Sequence, residues 1–406
     1  MTEPTVGPYD RCMDEPHGNE PAGSPFGDMW ADAPLFREIQ RVLLSSSGPV
    51  NWELARQVGI ASASSSGEDP TPTAEDQRSF DEAVRVAEMH VSGFTGLEAP
   101  NDLPRVEAVR RTQWIQANIE SLRSLLEPAA AALADAIASA RPAAAPEGAP
   151  DIASQLLAQI SPLLLGAQVG SVLGSLGQQV LGQYDVAVPR PGGASSLLFV
   201  VANVAAFERD WSLAPTDFRT WIAIHEVTHR FEFSRPWAAP RFSELLMDFL
   251  STLTLDVDGL RAKLETLDPS NPEGLQTMFE GDDGLFGTVL DDEQRLKLGR
   301  IQAFMAAAEG YGDHVSHAIG REMLPSYPQI QEAMRRYRDS EDADPVFERL
   351  LGIEMKRDQY VLGRAFCDTV AEQTDEATLA RMWDSAEALP SLPEVEEPRL
   401  WLARSV

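Results

Sequence analysis

The chain has 406 residues, of which 43% are hydrophobic, and 63 acidic side chains against 33 basic ones leave a net charge of −30. That length can bury a large core. The charge argues against nucleic acid as a partner, since binding it relies on Lys and Arg to neutralise phosphates.

Residues 1–28 are polar and rich in Pro and Gly, and read as a disordered segment. They lack a basic stretch followed by an apolar one, so no secretory signal is expected. Residues 29–150 read as a helical region. Two helices within Leu35–Ile60 are separated at Ser45–Pro49, and Ala61–Glu75 is a Ser/Thr/Pro/acid loop. A helical period resumes at Asp76 with Phe80, Val84, Ala87 and Val91, then runs through Val106–Leu126 and Ala129–Ala140. Pro142–Pro150 is a linker or surface loop.

Residues 151–406 carry the chemistry. Ile152–Tyr184 contains no charged side chain, but six glutamines and Pro162 speak against a membrane span. Gly166, Gly170 and Gly174 form a small-residue stripe that lets another helix approach closely, so the segment reads as a buried helical pair. Tyr184–Val188 and Ser196–Val204 read as two short strands of a hairpin.

His225-Glu226-Val227-Thr228-His229 follows. Residues four apart share a helical face, so both imidazoles can reach one cation. This is the H-E-x-x-H arrangement of zinc hydrolases, with Glu226 placed to take a proton from the attacking water. Thr216 or Asp217 would cap the helix, Phe218, Trp221, Ile222, Ile224 and Val227 would anchor it, and Pro236 would end it.

A third ligand must come from elsewhere. In Glu309-Gly310-Tyr311-Gly312-Asp313-His314-Val315-Ser316-His317, Glu309 and Asp313 share a face at a spacing of four. Glu309 is expected on the metal, with Asp313 as the carboxylate that orients a ligand histidine. His314 or His317 could replace Glu309, and Glu244 with Asp248 repeats the spacing on what could equally be a solvated acidic face. Tyr311, His314 and His317 are the candidate donors to the oxyanion, with Tyr360 a weaker one. Leu389–Leu402 reads as an extended tail stapled by Trp401. Cys12 and Cys367 have no CxxC spacing, so thiolate does not bind the metal, and a reducing cytoplasm is the expected location.

Several blocks together resemble a family of actinobacterial zincin-like metallopeptidases and hydrolases. They are Val180–Asp185, Leu198–Asn203, Phe218–His229, Glu309–Val315 and the Leu389–Arg404 tail. One branch of that family is linked to biosynthesis of a deazaflavin coenzyme. The resemblance spans residues 30–404. It implies a mainly α, zincin-like fold with a small β-hairpin or sheet before the H-E-x-x-H helix. It also implies Zn2+ on His225, His229 and Glu309, with Glu226 as base. Ser316 and His317 depart from the family pattern, which leaves the role of His317 open. The expected activity is hydrolysis of a peptide or small amide, without nucleic acid or membrane insertion. The alternative is a non-catalytic zinc-stabilised scaffold, or an accessory protein of coenzyme assembly.

Overall fold

The H-E-x-x-H segment lies in the middle of a helix that the rest of the core surrounds. The computed structural model describes residues 48–65, 67–139, 152–184, 196–252, 291–339 and 358–405, all within one compact unit, Ser45–Val406. Along the chain, α1 (Trp52–Ser65) and α2 (Ala74–Thr95) lead to β1 (Arg105–Val109), α3 (Arg111–Ser139) and α4 (Ile152–Gln179). Two strands, β2 (Gly182–Tyr184) and β3 (Ser196–Val200), precede α5 (Val201–Asp210), α6 (Pro215–Phe233) and α7 (Ala238–Leu250). After these come α8 (Asp292–Met323), α9 (Tyr327–Asp339), α10 (Asp358–Gln373), α11 (Glu376–Ala380) and a single 3-10 turn, Arg381–Trp383. Two short helices, α12 (Leu392–Glu396) and α13 (Pro398–Ser405), follow.

The fold is mainly helical with a three-stranded sheet in the order β1-β3-β2. β2 pairs antiparallel with β3, with Gln183 opposite Leu198, as expected for neighbouring strands. The other partner of β3 is a correction. Val106–Leu126 does not begin as helix, because Arg105–Val109 pairs parallel with β3, Ala108 opposite Phe199. Val106 and Ala108 are placed by a distant strand, a pairing no local period announces. Val201–Val204, read as strand, opens α5 instead.

α4 is one helix of 28 residues rather than a helical pair, with Pro162 inside it. Its glycine stripe receives the backbone of α1. A Cβ on Gly166 would run into the Asn51 carbonyl, one on Gly170 into the Ala55 carbonyl, and one on Gly174 into Ser62. That close approach explains the small residues without a membrane. No helix among the described residues is long and apolar enough to cross one. The tail is also a correction, since α12 and α13 replace an extended segment. Ser391 and Glu394 form a capping box, and Trp401 is fully buried with its Nε1–H donated to the Ala388 carbonyl at 2.7 Å.

α6 is held by its own apolar residues. Phe218, Ile224 and Val227 are fully buried, Ile222 is nearly so, and Phe218 stacks on Phe207 of α5 at 5.1 Å. The helix opens at Pro215, with Ala214 as its non-helical cap. The expected cap Asp217 instead accepts from the backbone N–H and hydroxyl of Ser326 before α9. Residues 1–47, 140–151 and 185–195 lie outside the described residues, as do 253–290 and 340–357. The expectations that fall there include the first disordered segment, the Pro142–Pro150 linker and the turn of the hairpin.

Candidate metal centre

α6 carries His225 and His229 one turn apart, and α8 crosses them with Glu309. The Nε2 atoms of the two imidazoles lie 3.2 Å apart, with the rings nearly perpendicular at 85°. Glu309 Oε2 is 3.6 Å from His225 Nε2, and Oε1 is 3.8 Å from His229 Nε2. Tetrahedral zinc with bonds of about 2.0–2.1 Å separates neighbouring ligand atoms by about 3.3 Å. The three donors therefore form a triangle of the size a zinc ion spans, and two neutral imidazoles with one carboxylate are a donor set zinc accepts. Among the described residues this is the one group of His, Cys, Asp and Glu with ligand atoms so convergent.

The approach of α8 depends on Gly312. A Cβ there would lie 3.1 Å from Cε1 of both His225 and His229, so the helix presents bare backbone to the rings. Gly310, on the flank of α8, does the same for α10, where a Cβ would overlap the backbone of Gly363. The Glu-Gly-Tyr-Gly run is thus a packing device as well as the bearer of Glu309.

Glu226 is buried beside His225. Its Oε2 accepts the backbone N–H of Tyr184 at 2.7 Å, which ties the carboxylate to the edge strand β2. Gly182, two residues earlier, leaves the space that Glu226 needs, since a Cβ would lie 2.9 Å from its Cγ. The bond to Tyr184 engages one of the two carboxylate oxygens.

The carboxylate bonded to one of these histidines is not the expected Asp313. Asp313 Oδ1 stands 3.9 Å from His225 Nδ1, beyond hydrogen-bond reach, and that nitrogen is buried without a hydrogen-bond partner. His229 Nδ1 instead meets Glu232 Oε2 at 2.9 Å. An ionised carboxylate only accepts, so Nδ1 carries the proton and Nε2 faces the triangle. The missed signal was local, because Glu232 follows His229 at a helical spacing of three.

Burial lowers the pKa of His229, but the carboxylates of Glu232 and Glu309 outweigh it and push the imidazole up to about 10. For His225, burial again lowers the pKa, and the nearby Glu309 carboxylate carries it above its ordinary value against the repulsion of His229. Burial raises the Glu232 carboxyl, and His229 only partly offsets this. Three acidic groups crowd the imidazoles, so this pocket attracts a cation.

The other expected donors fall elsewhere. Each residue advances about 100° around a helix, so Tyr311 stands about 200° from Glu309 and His314 about 140°. Tyr311 is fully buried, edge-on to Trp383, and burial drives its hydroxyl pKa well above the ordinary value. His314 is clasped at Nδ1 by Asp368 (2.6 Å) and at Nε2 by Glu376 (3.0 Å). Burial lowers its pKa, but these two carboxylates raise it to about 9.

The structure brings neither residue into the triangle: α8 turns His314 toward α10 and α11, and Tyr311 packs against Trp383, where the Glu232 carboxylate also bears on its hydroxyl. His317 is half-buried and also outside the triangle, with Nδ1 2.5 Å from the Tyr327 hydroxyl. Glu244 pairs with Arg241 and Asp248 with Lys297, so neither joins the cluster. The side chain of Tyr360 is outside those described.

The family model for zincin-like metallopeptidases matches residues 50–402. The chain is also similar to a crystal structure from Chloroflexus aurantiacus, titled a "putative hydrolase with a novel fold". Identity is 28%, with a TM-score of 0.63 over 87% of this chain and 98% of that one. No curated protein matches.

Proposed function

The chain belongs to the zincin-like metallopeptidase family, and we propose that it is a zinc-dependent hydrolase of peptides or small amides, with His225, His229 and Glu309 holding the metal and Glu226 as general base. The observation that carries this reading is the triangle of 3.2, 3.6 and 3.8 Å between the three ligand atoms, with the Glu226 carboxylate beside it. Zinc, when bound, supplies a Lewis acid for the scissile carbonyl and makes water easier to deprotonate.

The residues do the rest. His225 and His229 present Nε2 lone pairs from a helix that the core makes rigid. Glu226, anchored at Oε2 by the Tyr184 amide, takes the proton of the attacking water at its other oxygen and returns it to the leaving amine. Among the described residues β2 is an edge strand beside this carboxylate, a place suited to an extended substrate.

The test compares zinc-loaded wild type with Glu226→Gln on a library of short peptides and amides, with mass spectrometry of products. Hydrolysis should vanish in the variant while one zinc per chain is retained. Turnover that persists at the wild-type rate would remove Glu226 from the role of base. A wild type that binds zinc and cleaves nothing would favour the scaffold reading.

A further inference from the structure

Glu232 is fully buried, and its one ion-pair partner among the described residues is His229. Its Oε2 is bonded to His229 Nδ1, but its Oε1 is buried without any hydrogen-bond partner. A buried carboxylate held by a single bond is unfavourable by several kcal/mol unless a strong positive charge faces it. Among the described residues no Lys or Arg pairs with it to supply that charge. The bond also joins two residues one turn apart on one helix, so it ties no separate elements together. A purely structural role explains neither the burial nor the half-satisfied oxygen pair.

The two ligand histidines are, moreover, unequally supported. His225 Nδ1 has no hydrogen-bond partner and faces Asp313 only at 3.9 Å.

We propose that Glu232 is a positioning residue of the metal centre. It fixes His229 in the tautomer and orientation that present Nε2 to the cation, and it makes this imidazole the stronger of the two histidine ligands. The assignment rests on the zinc site described above. A cation on Nε2 draws positive character onto the ring, and the buried carboxylate then faces the partner that its position otherwise lacks. Outer carboxylates on ligand histidines commonly change metal affinity by about 10–100-fold.

Zinc affinity measured by chelator competition on wild type, Glu232→Gln and Asp313→Asn tests this, alongside thermal unfolding of each metal-free protein. Glu232→Gln keeps the shape and removes the charge. It should weaken zinc by about 10–100-fold, while the metal-free variant melts no lower than the metal-free wild type. Asp313→Asn should cost much less. In the cobalt-substituted protein the visible bands should shift for Glu232→Gln and stay in place for Asp313→Asn.

Unchanged zinc affinity in Glu232→Gln, or an equal loss in Asp313→Asn, would overturn the proposal. So would a lower melting temperature with affinity preserved, which marks a structural role. Should Glu232→Gln fail to fold, the structural role is likewise favoured and the proposal falls. The underlying zinc site stands or falls separately, on whether wild type binds zinc at all.

Discussion

The two sides of α8 use the same kinds of residue to opposite ends. On the side facing α6, two imidazoles and a carboxylate point at one place, with ligand atoms 3.2–3.8 Å apart. On the side facing α10 and α11, one imidazole lies between two carboxylates, Asp368 on Nδ1 and Glu376 on Nε2. There the acceptors sit on opposite edges of the ring and share no common point, so the result is a charge-paired cluster rather than a metal cradle. Both sides gather histidine and acid, and both raise the histidine pKa. What separates them is convergence.

The sharpest way to break this comparison is His229→Ala. It should lower zinc affinity by more than about 100-fold, beyond what loss of an outer carboxylate does, as read by metal content after gel filtration. Retention of zinc at the wild-type level would mean the triangle is not the metal site.

Gly312→Ala comes next. Its Cβ would crowd both imidazole rings, so overpacking should cost about 1–3 kcal/mol and weaken zinc by about tenfold. An isothermal titration that finds no change would show that α8 can retreat without moving Glu309.

The smallest effect is expected from His314→Gln, which should leave zinc affinity unaltered. That variant should also change the pH profile of stability. The folded His314 titrates near 9 rather than near the unfolded value of 6.5. Its stabilisation is therefore fully present below pH 6.5 and is lost as pH rises through about 9. Asp368 and Glu376 are each more than a third exposed, so solvent screens the pair and the loss should be modest. Melting curves from pH 6 to pH 10 should fall for wild type and flatten in the variant. A flat wild-type curve would show that the cluster is not paired in solution.

Much of the helical architecture follows from local periodicity. The apolar stripe of α2 holds Phe80, Val84, Ala87 and Val91, all fully buried as their spacing predicts. α6 likewise buries the anchors its pattern names. The departures have different origins, and one of them is a distant partner. Arg105–Val109 became a strand because β3 offers it a parallel edge, and Val201–Val204 became helix after a strand too short to include them. The glycines of α4 could signal either a membrane helix or a close crossing, and only the presence of α1 over them distinguishes the two. The tail misled because a capping box at Ser391 and Glu394 was hidden among prolines.

The sequence by itself determined that two imidazoles and a glutamate would stand together on one helix, because a period of 3.6 residues fixes that within five positions. The same period already placed Glu232 under His229. Which of Glu309, His314 and His317 would complete the site was a different matter, since it depends on which face of α8 turns toward α6. Gly312 toward α6 and Gly310 with Gly363 toward α10 set that rotation by letting backbones approach where side chains would collide. The Tyr184 amide on Glu226, and Asp368 and Glu376 around His314, also arrive from elements 42 to 62 residues away. Contacts across such distances are chosen by how whole helices and strands pack, and no local pattern encodes them.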